Sequence, residues 1–315
     1  MKLRTPAKTI QQQKLRLMVP RLHFTFTLLL TGLLAYSQER LVKVDGHNFN
    51  VYSKGLENRK ENAPVIVFEN GMGVGLGTWD VVIEQLSKVA PVFAYDRSSV
   101  GKSDKVFQMP SVKLVAENLK SLLTALNIPP PYILVGHSMG GLYARGYAGI
   151  FPDEISGLIM IDPADFTESK DDWNSIFRTI GVPEKKIDEM MYDRLYKASE
   201  VDSVRFGSWS ERQVLGELRR TDFAEISTLP LPDAPICFIV GGKFEVPIDR
   251  RSKDFDHAAF FVVKSNRNME RWRKLIDSSS KGGDLIYLSN CGHYIHRDDP
   301  PAVINIIQSM WNSVK

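Results

Sequence analysis

The stretch that decides the fold of this chain is Ile133-Leu134-Val135-Gly136-His137-Ser138-Met139-Gly140-Gly141. A run of branched apolar residues, typical of a buried strand, leads into Gly-x-Ser-x-Gly, and the helix-forming run Leu142–Arg145 follows at once. A sharp strand-to-helix turn holds a serine hydroxyl out of the backbone, and the neighbouring chain comes so close that only glycine fits on either side. The amide after the serine then lies at a helix N-terminus, where it can donate a hydrogen bond to an oxyanion. The stretch therefore predicts that Ser138 is a nucleophile.

Strand-like and helix-like segments alternate along the rest of the chain. Short apolar runs predict core strands at Val65–Phe68, Val92–Tyr95, Tyr132–Gly136, Ile155–Ile161, Ile236–Val240 and Leu285–Leu288. Helices are expected at Trp79–Leu86, Ser111–Leu126, Leu142–Ile150 and Met269–Asp277. Near the start, Leu41–Val44 and Phe49–Ser53 flank Asp45-Gly46 and predict a hairpin. Such alternation requires a mostly parallel central sheet with helices on both faces, so the predicted fold class is α/β.

Residues 163–235 interrupt this alternation between two predicted core strands. The segment is polar and helical in character, with apolar residues at helical spacings: Trp173, Ile176, Phe177, Met190, Met191, Tyr192, Leu195 and Tyr196. We interpret it as a helical lid over the site, although the same stripe would also serve simple packing against the main domain. The core domain is then formed by residues 38–162 and 236–315. A second, charged insertion is expected at Phe244–Asn268.

The first 37 residues differ from the rest. They contain six basic residues and no acidic ones, and an apolar run from Leu22 to Leu34 precedes Ala35-Tyr36-Ser37. Ala35 and Ser37 are small residues at the two positions that an export peptidase recognises. The pattern therefore predicts a signal peptide over residues 1–37 and an exported protein, periplasmic or secreted. An uncleaved amphipathic anchor is the alternative, and a start at Met18 would leave only a short basic segment.

The charge and the cysteine content bear on nucleic-acid binding and on metal binding. Without the six basic residues of the leader, the formal charge of +3 becomes about −3, so no nucleic-acid partner is expected. Cys237 lies in one predicted strand and Cys291 at the end of another, with no metal-ligand spacing between them. We expect two buried thiols rather than a disulfide, and no metal site.

Four motifs appear in the order that one fold family requires. They are Glu69-Asn70-Gly71-Met72-Gly73, Asp96-Arg97-Ser98-Ser99-Val100-Gly101-Lys102-Ser103, the turn Gly136–Gly140, and Cys291-Gly292-His293-Tyr294-Ile295-His296-Arg297-Asp298-Asp299-Pro300. On these motifs residues 65–311 resemble an α/β-hydrolase fold protein with a serine nucleophile. The resemblance implies that the backbone amides of Met72 and Met139 form an oxyanion hole. Asn70 stands where many relatives have histidine, and Ser99 replaces a usual glycine, so a different bend is expected there.

A serine nucleophile needs a histidine within reach as its base. The chain has six: His23 in the leader, His47 in the hairpin, His137 inside the turn, His257 in the charged insertion as a solvated residue, His293 and His296. His293 follows the last predicted strand and a glycine, where a loop can return over Ser138. We therefore predict His293 as the base and treat His296 as a supporting or surface group.

The acid that orients the histidine has two candidates. In the family it comes most often after the penultimate strand, and here only Glu245 follows that strand closely. The preceding strand ends in Asp162-Pro163, and some lipases of the family take their acid from that strand end. We prefer Asp162 and keep Glu245 as the alternative. Asp162 could instead cap a first helical turn of the insertion, with Pro163 at the first helical position.

These parts predict an exported serine hydrolase that cleaves a carboxylic ester, or a related acyl bond, through an acyl-enzyme intermediate. No cofactor is expected, and the expected partner is a small-molecule acyl substrate. Contact with a membrane is expected only through an uncleaved leader. The alternative is a catalytically silent relative that binds a ligand or a protein, and its usual signs, a broken Gly-x-Ser-x-Gly turn or a missing terminal histidine, are not seen in the sequence.

Overall fold

In the computed structural model, residues 39–315 are described, so the predicted signal peptide lies outside the described residues. Within residues 39–315 one sheet contains eight strands: β1 (Arg40–Val44), β2 (His47–Lys54), β3 (Val65–Glu69), β4 (Val92–Tyr95), β5 (Tyr132–His137), β6 (Ile155–Ile161), β7 (Ile236–Gly241) and β8 (Gly283–Leu288). Their order is β1-β2-β4-β3-β5-β6-β7-β8. β2 runs antiparallel to β1 and β4, and all other neighbours pair in parallel. The predicted α/β class and mostly parallel sheet are confirmed.

Ten helices connect and flank these strands in the described part of the chain. They are α1 (Asp80–Leu86), α2 (Val112–Ala125), α3 (Met139–Ile150), α4 (Lys170–Thr179), α5 (Glu184–Leu195), α6 (Phe206–Arg220), α7 (Ala224–Ser227), α8 (His257–Ser278), α9 (Ile295–Asp298) and α10 (Pro300–Val314). None of the helices within residues 39–315 combines the length and the hydropathy that a membrane span needs.

The prediction for α8 was wrong at its start. The helix begins at His257, twelve residues before the predicted start at Met269, because the side chain of Asp256 caps the amides of Ala258 and Ala259. The charged residues of the predicted insertion mostly precede this helix, whereas Lys264 and Arg267 lie within it and contact Glu168 and Ser175. The other predicted helices and strands match the observed ones closely, because their apolar faces are continuous.

Two apolar cores lie on the two faces of the sheet. Along β3, Val65 and Val67 pack on one face with α2, α3 and α8, and Ile66 and Phe68 pack on the other with α1 and α10. Burying one such side chain stabilises the fold by roughly 1.5–3 kcal/mol. The central strands are buried on both faces, which explains why they read as continuous apolar runs.

The segment 163–235 contains four helices, α4 to α7, between β6 and β7. Trp173 and Phe177 of α4 form a third apolar cluster with Phe255 and with Phe260 of α8. The stripe therefore packs in part as predicted, but Tyr192 and Tyr196 are exposed. The role of this segment as a lid stays a prediction.

The sheet register brings the functional strand ends together. His137 lies opposite Ile161 in β6, and Ile161 lies opposite Ile239 in β7. Because these strands are parallel, the residues after them emerge at one edge of the sheet. Ser138 and Asp162 therefore begin neighbouring loops at the same edge.

Candidate active site

The turn after β5 holds Ser138 in a rare backbone conformation, with φ 54° and ψ −118°. Such a conformation costs of order 1–3 kcal/mol and persists only where the surroundings impose it. A Cβ on Gly136 would lie 2.4 Å from the carbonyl oxygen of Gly140, and one on Gly140 would lie 2.3 Å from that of Glu69. Both glycines are thus required by backbone contact, and the side chain of Ser138 is left pointing out of the turn.

Three predicted side chains form one hydrogen-bonded chain. The His293 Nε2 atom lies 3.0 Å from the Ser138 hydroxyl oxygen, and His293 Nδ1 lies 2.6 Å from Asp162 Oδ2. With Nδ1–H donating to the carboxylate, Nε2 is free to accept the serine proton. The imidazole is about half exposed and the carboxylate is one quarter exposed, so the His293 ring faces open space while Asp162 lies behind it.

Asp162 is fixed by its own backbone. It has a φ of 41°, its amide donates to the carbonyl of Ile239 at 2.8 Å, and its Oδ1 accepts from the amide of Gly241 at 3.4 Å. The nearest following helix starts at Lys170 and is capped by Ser169, so Asp162 does not cap a helix. The alternative acid, Glu245, forms an ion pair with Lys243 at 2.7 Å. The structure brings Asp162, and not Glu245, to His293.

The predicted oxyanion donors flank the serine. Met139 is the first residue of α3, so its amide has no acceptor within the helix. Met72 follows Gly71, and a Cβ on Gly71 would lie 3.8 Å from the Ser138 Cβ. The loop that contains Met72, residues 69–73, is therefore packed directly against the serine.

A buried charge network, which the sequence analysis missed, holds this loop in place. Arg97 donates to Glu69 at 3.1 Å, to the carbonyls of Asn70 and Gly71 at 2.7 and 2.9 Å, and to Glu211 at 2.6 Å. Burial alone would lower the pKa of Arg97, but the carboxylates of Glu211 and Glu69 raise it above its ordinary value. The position of Arg97 after a strand was a usable signal, whereas nothing local marked Glu211.

Glu211 links the inserted helices to the same loop. It lies on α6 and its Oε2 accepts from the amide of Gly73 at 2.7 Å. A Cβ on Gly73 would lie 2.0 Å from the Ser208 hydroxyl of the same helix, which explains glycine here. α6 is thus in direct contact with the loop that carries Met72.

Two further histidines lie behind His293. The Nε2 of His137 bonds the carbonyl of His293 at 2.8 Å, so its side chain is directed away from Ser138 as expected and supports the histidine loop. His296 is buried, bonds Thr78 at 2.8 Å and stacks on Trp79 with ring centroids 4.4 Å apart, so it is a supporting group and not a surface one. Burial and Arg297 lower the pKa of His296 to about 3. Burial, with His293 and His296 nearby, lowers the pKa of His137 well below its ordinary value.

The two departures from the family pattern have local explanations. Asn70 donates to the carbonyl of Tyr95 at 2.7 Å and accepts from the indole of Trp79 at 2.8 Å, so it ties the loop to the sheet. Ser99 adopts the left-handed φ of 64° that a glycine would take, and its hydroxyl bonds both the amide and the carbonyl of Val106. The different bend expected at Ser99 stays a prediction.

Ser138 and His293 open into a cavity of about 1110 Å³. Its wall contains residues of α4 and α8, among them Trp173, Phe177 and Phe260. His257 also lines this cavity and accepts a hydrogen bond from the amide of Ser252, so it is not the freely solvated residue that we expected. This volume is larger than that of most pockets that bind drug-sized ligands.

Neither cysteine pairs with the other: Cys237 and Cys291 are both free and buried, as predicted. Burial raises the pKa of Cys237 to about 12, so this thiol is unreactive at neutral pH. Within residues 39–315 no group of three or more His, Cys, Asp or Glu side chains is arranged to hold a metal ion.

Comparison with known proteins agrees with this architecture. Residues 64–199 match the sequence pattern of the α/β-hydrolase fold family. The uncharacterised protein YqjL of Bacillus subtilis is 32% identical over 127 residues, which cover 40% of this chain and 48% of YqjL. The 1-acylglycerol-3-phosphate O-acyltransferase ABHD5 of Rattus norvegicus is 31% identical over 118 residues, 36% of this chain and 33% of ABHD5. The matched segments thus span only about half and one third of these relatives.

A solved structure covers more of the chain. A thermophilic esterase from Thermogutta terrifontis has a TM-score of 0.57 and 17% identity, and the likeness covers 88% of this chain and 99% of the esterase. At this identity the likeness shows the fold alone. Together with the strand order and the match over residues 64–199, it shows that the chain has the α/β-hydrolase fold.

Proposed function

We propose that this protein is a serine hydrolase that cleaves carboxylic esters, with Ser138 as nucleophile, His293 as base and Asp162 as the orienting acid. The observation that carries the proposal is the hydrogen-bonded chain from Asp162 through His293 to Ser138, at 2.6 and 3.0 Å, opening into a large cavity. Nucleophile, base and orienting group within hydrogen-bond reach are the signature of covalent catalysis.

The mechanism follows from these contacts. His293 Nε2 takes the Ser138 proton as the serine oxygen attacks the ester carbonyl carbon, and Asp162 stabilises the imidazolium. The amides of Met72 and Met139 donate to the tetrahedral oxyanion, each donor being worth about 3 kcal/mol. The imidazolium protonates the departing alcohol, which leaves an acyl group on Ser138. Water, activated by His293, then attacks the acyl-enzyme and releases the acid.

Hydrolysis of p-nitrophenyl butyrate tests this proposal. We expect a burst of one equivalent of p-nitrophenol followed by steady turnover, and a fall of more than about 10³-fold in turnover on Ser138→Ala. The exposed Ser278 at the end of α8 offers a matched control, and Ser278→Ala is expected to keep the wild-type rate. Turnover that survives Ser138→Ala would overturn the assignment.

Acyl transfer is a second candidate for the same apparatus. ABHD5, which matches 36% of this chain, carries the name of an O-acyltransferase. An alcohol that enters the cavity in place of water would take the acyl group from Ser138 by the same steps. Turnover of the butyrate ester in the presence of glycerol separates the two, since transfer yields glyceryl butyrate and hydrolysis yields butyrate.

We also propose that residues 1–37 direct export, on the basis of their six basic residues and the apolar run that follows. Fractionation of expressing cells tests this. The mature protein is expected outside the cytoplasm and to begin at residue 38, whereas full-length protein in the cytoplasm would contradict it.

A further inference from the structure

Three cations surround one tryptophan in the wall of the cavity that contains Ser138. The guanidinium carbon of Arg194 lies 4.1 Å from the Trp173 ring centre, the Lys264 ammonium 4.5 Å and the Arg219 guanidinium carbon 5.6 Å. Trp173 and all three cations line the cavity. The face of the indole ring attracts each cation, but the ring carries no net negative charge that would neutralise them.

The carboxylates that line the cavity have other partners. The pairs are Asp162 with His293, Asp165 with Arg271, Asp193 with Lys197, Glu245 with Lys243, and Asp254 with Lys186. None of the five is paired with the cations around Trp173. The positive charges around Trp173 are therefore not neutralised by any carboxylate of the cavity wall.

Outside the cavity wall, one buried carboxylate serves this cluster. Glu168 lies 2.8 Å from Lys264, 3.8 Å from Arg271 and 4.0 Å from Arg219. Its single charge is shared among three cations. The Nε of Arg219 and the Glu168 Oε1 that it faces at 4.0 Å are both buried without a hydrogen-bond partner.

Arg194 is the cation with the least compensation. Within residues 39–315 it forms no ion pair with a carboxylate, and it is an exposed residue that lines the cavity. Although the residue keeps solvent contact, the protein packed around its guanidinium and the nearby Arg219 lower the pKa of Arg194 to about 10, and Glu168 offsets this only in part. A bound anion would relieve this repulsion and complete the hydrogen bonds of both guanidinium groups.

We propose that Arg194 and Arg219 bind an anionic group, a carboxylate or a phosphate, carried by the ester substrate away from the bond that Ser138 attacks. The inference rests on the proposed ester hydrolysis. The aromatic wall beside the cluster, where Phe177 and Phe260 stack at 4.9 Å, suits an apolar segment between the ester and the anion. The substrate class is thus an ester with an apolar middle and a charged end.

A set of matched esters tests the proposal. p-Nitrophenyl octanoates that end in a carboxylate, a phosphate or a neutral carboxamide differ only in the terminal group. We expect kcat/KM for at least one anionic ester to exceed that of the carboxamide about tenfold or more, through KM, because hydrogen bonds to charged groups are strong. The better of the two anionic esters identifies the anion. Equal kcat/KM for all three esters would overturn the proposal.

Variants locate the effect. Arg194→Gln and Arg219→Gln are each expected to bring the ratio of anionic to neutral kcat/KM close to one, and Arg194→Lys to keep part of it. Arg212→Gln is the control, because Arg212 lies exposed on the same helix α6 as Arg219 and does not line the cavity. A ratio that survives both cavity variants would place anion recognition elsewhere and overturn the assignment.

Binding without turnover separates this inference from the proposed function. Calorimetry on the Ser138→Ala protein compares octanedioate with its neutral diamide. We expect octanedioate to bind more tightly, and the difference to vanish in the Ser138→Ala, Arg194→Gln protein. Binding of the dianion by a protein that hydrolyses no ester would refute the proposed function and support the anion site. Ester hydrolysis together with equal binding of the two ligands would refute the anion site alone.

Discussion

The Asp162 carboxylate lies 2.6 Å from His293 Nδ1. The backbone of Asp162 has a positive φ of 41°, a conformation that aspartate tolerates better than most residues. An orienting carboxylate fixes the imidazole tautomer and stabilises its charged form. Asp162→Asn keeps the size of the side chain but lets the ring take the wrong tautomer. We expect a loss of about 10⁴-fold in kcat.

Ester turnover of Asp162→Asn and Glu245→Gln, side by side, checks this prediction. Glu245 pairs with Lys243 on the cavity wall and is the natural comparison. A rate for Asp162→Asn near that of the wild type, with collapse in Glu245→Gln, would transfer the role of the acid to Glu245.

The choice between these two acids shows where sequence reasoning stops at the residue scale. Asp162 and Glu245 follow neighbouring parallel strands that end at the same edge of the sheet. The strand pattern alone therefore predicted two carboxylates near the histidine. The outcome depends on the backbone after β7, where the ion pair with Lys243 holds the Glu245 carboxylate. The path of the backbone after β7 is determined by tertiary contacts, and no periodic pattern in the sequence indicates it.

At the scale of elements, the contact between α6 and the loop of residues 69–73 has a testable consequence. Glu211 accepts from Arg97 and from the Gly73 amide at 2.6 and 2.7 Å. Glu211→Gln can accept only one of these hydrogen bonds well, so the loop that carries Met72 loses a contact. We expect kcat to fall about tenfold or more, with little change in KM, and the free energy of unfolding to fall by about 1–3 kcal/mol.

Ester kinetics and urea unfolding of Glu211→Gln measure both effects. Glu217→Gln is the matched control, because Glu217 is an exposed glutamate on the same helix. Wild-type kcat in Glu211→Gln would show that the contact does not position the loop.

Elements with one continuous apolar face were predictable, and α2 is the clearest case. Its six buried side chains follow one face, and Ser111 caps its start through the amide of Leu114. The first half of α8 was not predictable in this way, since its apolar residues pack on the inserted α4 and it follows directly on the charged stretch 249–256. The contact of Glu211 with Arg97 joins residues 114 apart, beyond any local signal.

Over the whole molecule, the two buried histidines predict a pH dependence of stability. The pKa of His296 is about 3 in the fold and that of His137 is lowered in the same direction, whereas both would titrate near 6.5 when unfolded. The unfolded chain therefore binds more protons below pH 6.5, and stability falls as the pH falls from 6.5 towards 3. His296 alone contributes roughly 1.4 kcal/mol per pH unit in this window.

Urea unfolding at pH 7 and pH 5 checks the sign and the source. His296→Gln, which keeps an acceptor or donor for Thr78, is expected to reduce the difference between the two pH values. His47→Gln, at an exposed histidine of β2, is expected to leave it unchanged. Equal pH dependence in the wild type and in His296→Gln would contradict the assignment to His296.

The arrangement of the sheet follows from the alternation of strands and helices, and the parallel register alone brings Ser138 and Asp162 to one edge. The cavity depends on how α4, α5, α6 and α8 pack together, through contacts such as those around Trp173. For this reason Ser138 could be singled out from the sequence, whereas the charged wall of the cavity beside it could not.

The central claim is that Ser138 is an activated nucleophile, and covalent labelling of residues 38–315 with a fluorophosphonate tests it most directly. Intact-mass measurement is expected to show one added phosphonyl group on the wild-type protein and none on Ser138→Ala, because only an activated serine attacks this phosphorus centre. A folded wild-type protein that stays unlabelled, or a Ser138→Ala protein that labels equally well, would contradict the account.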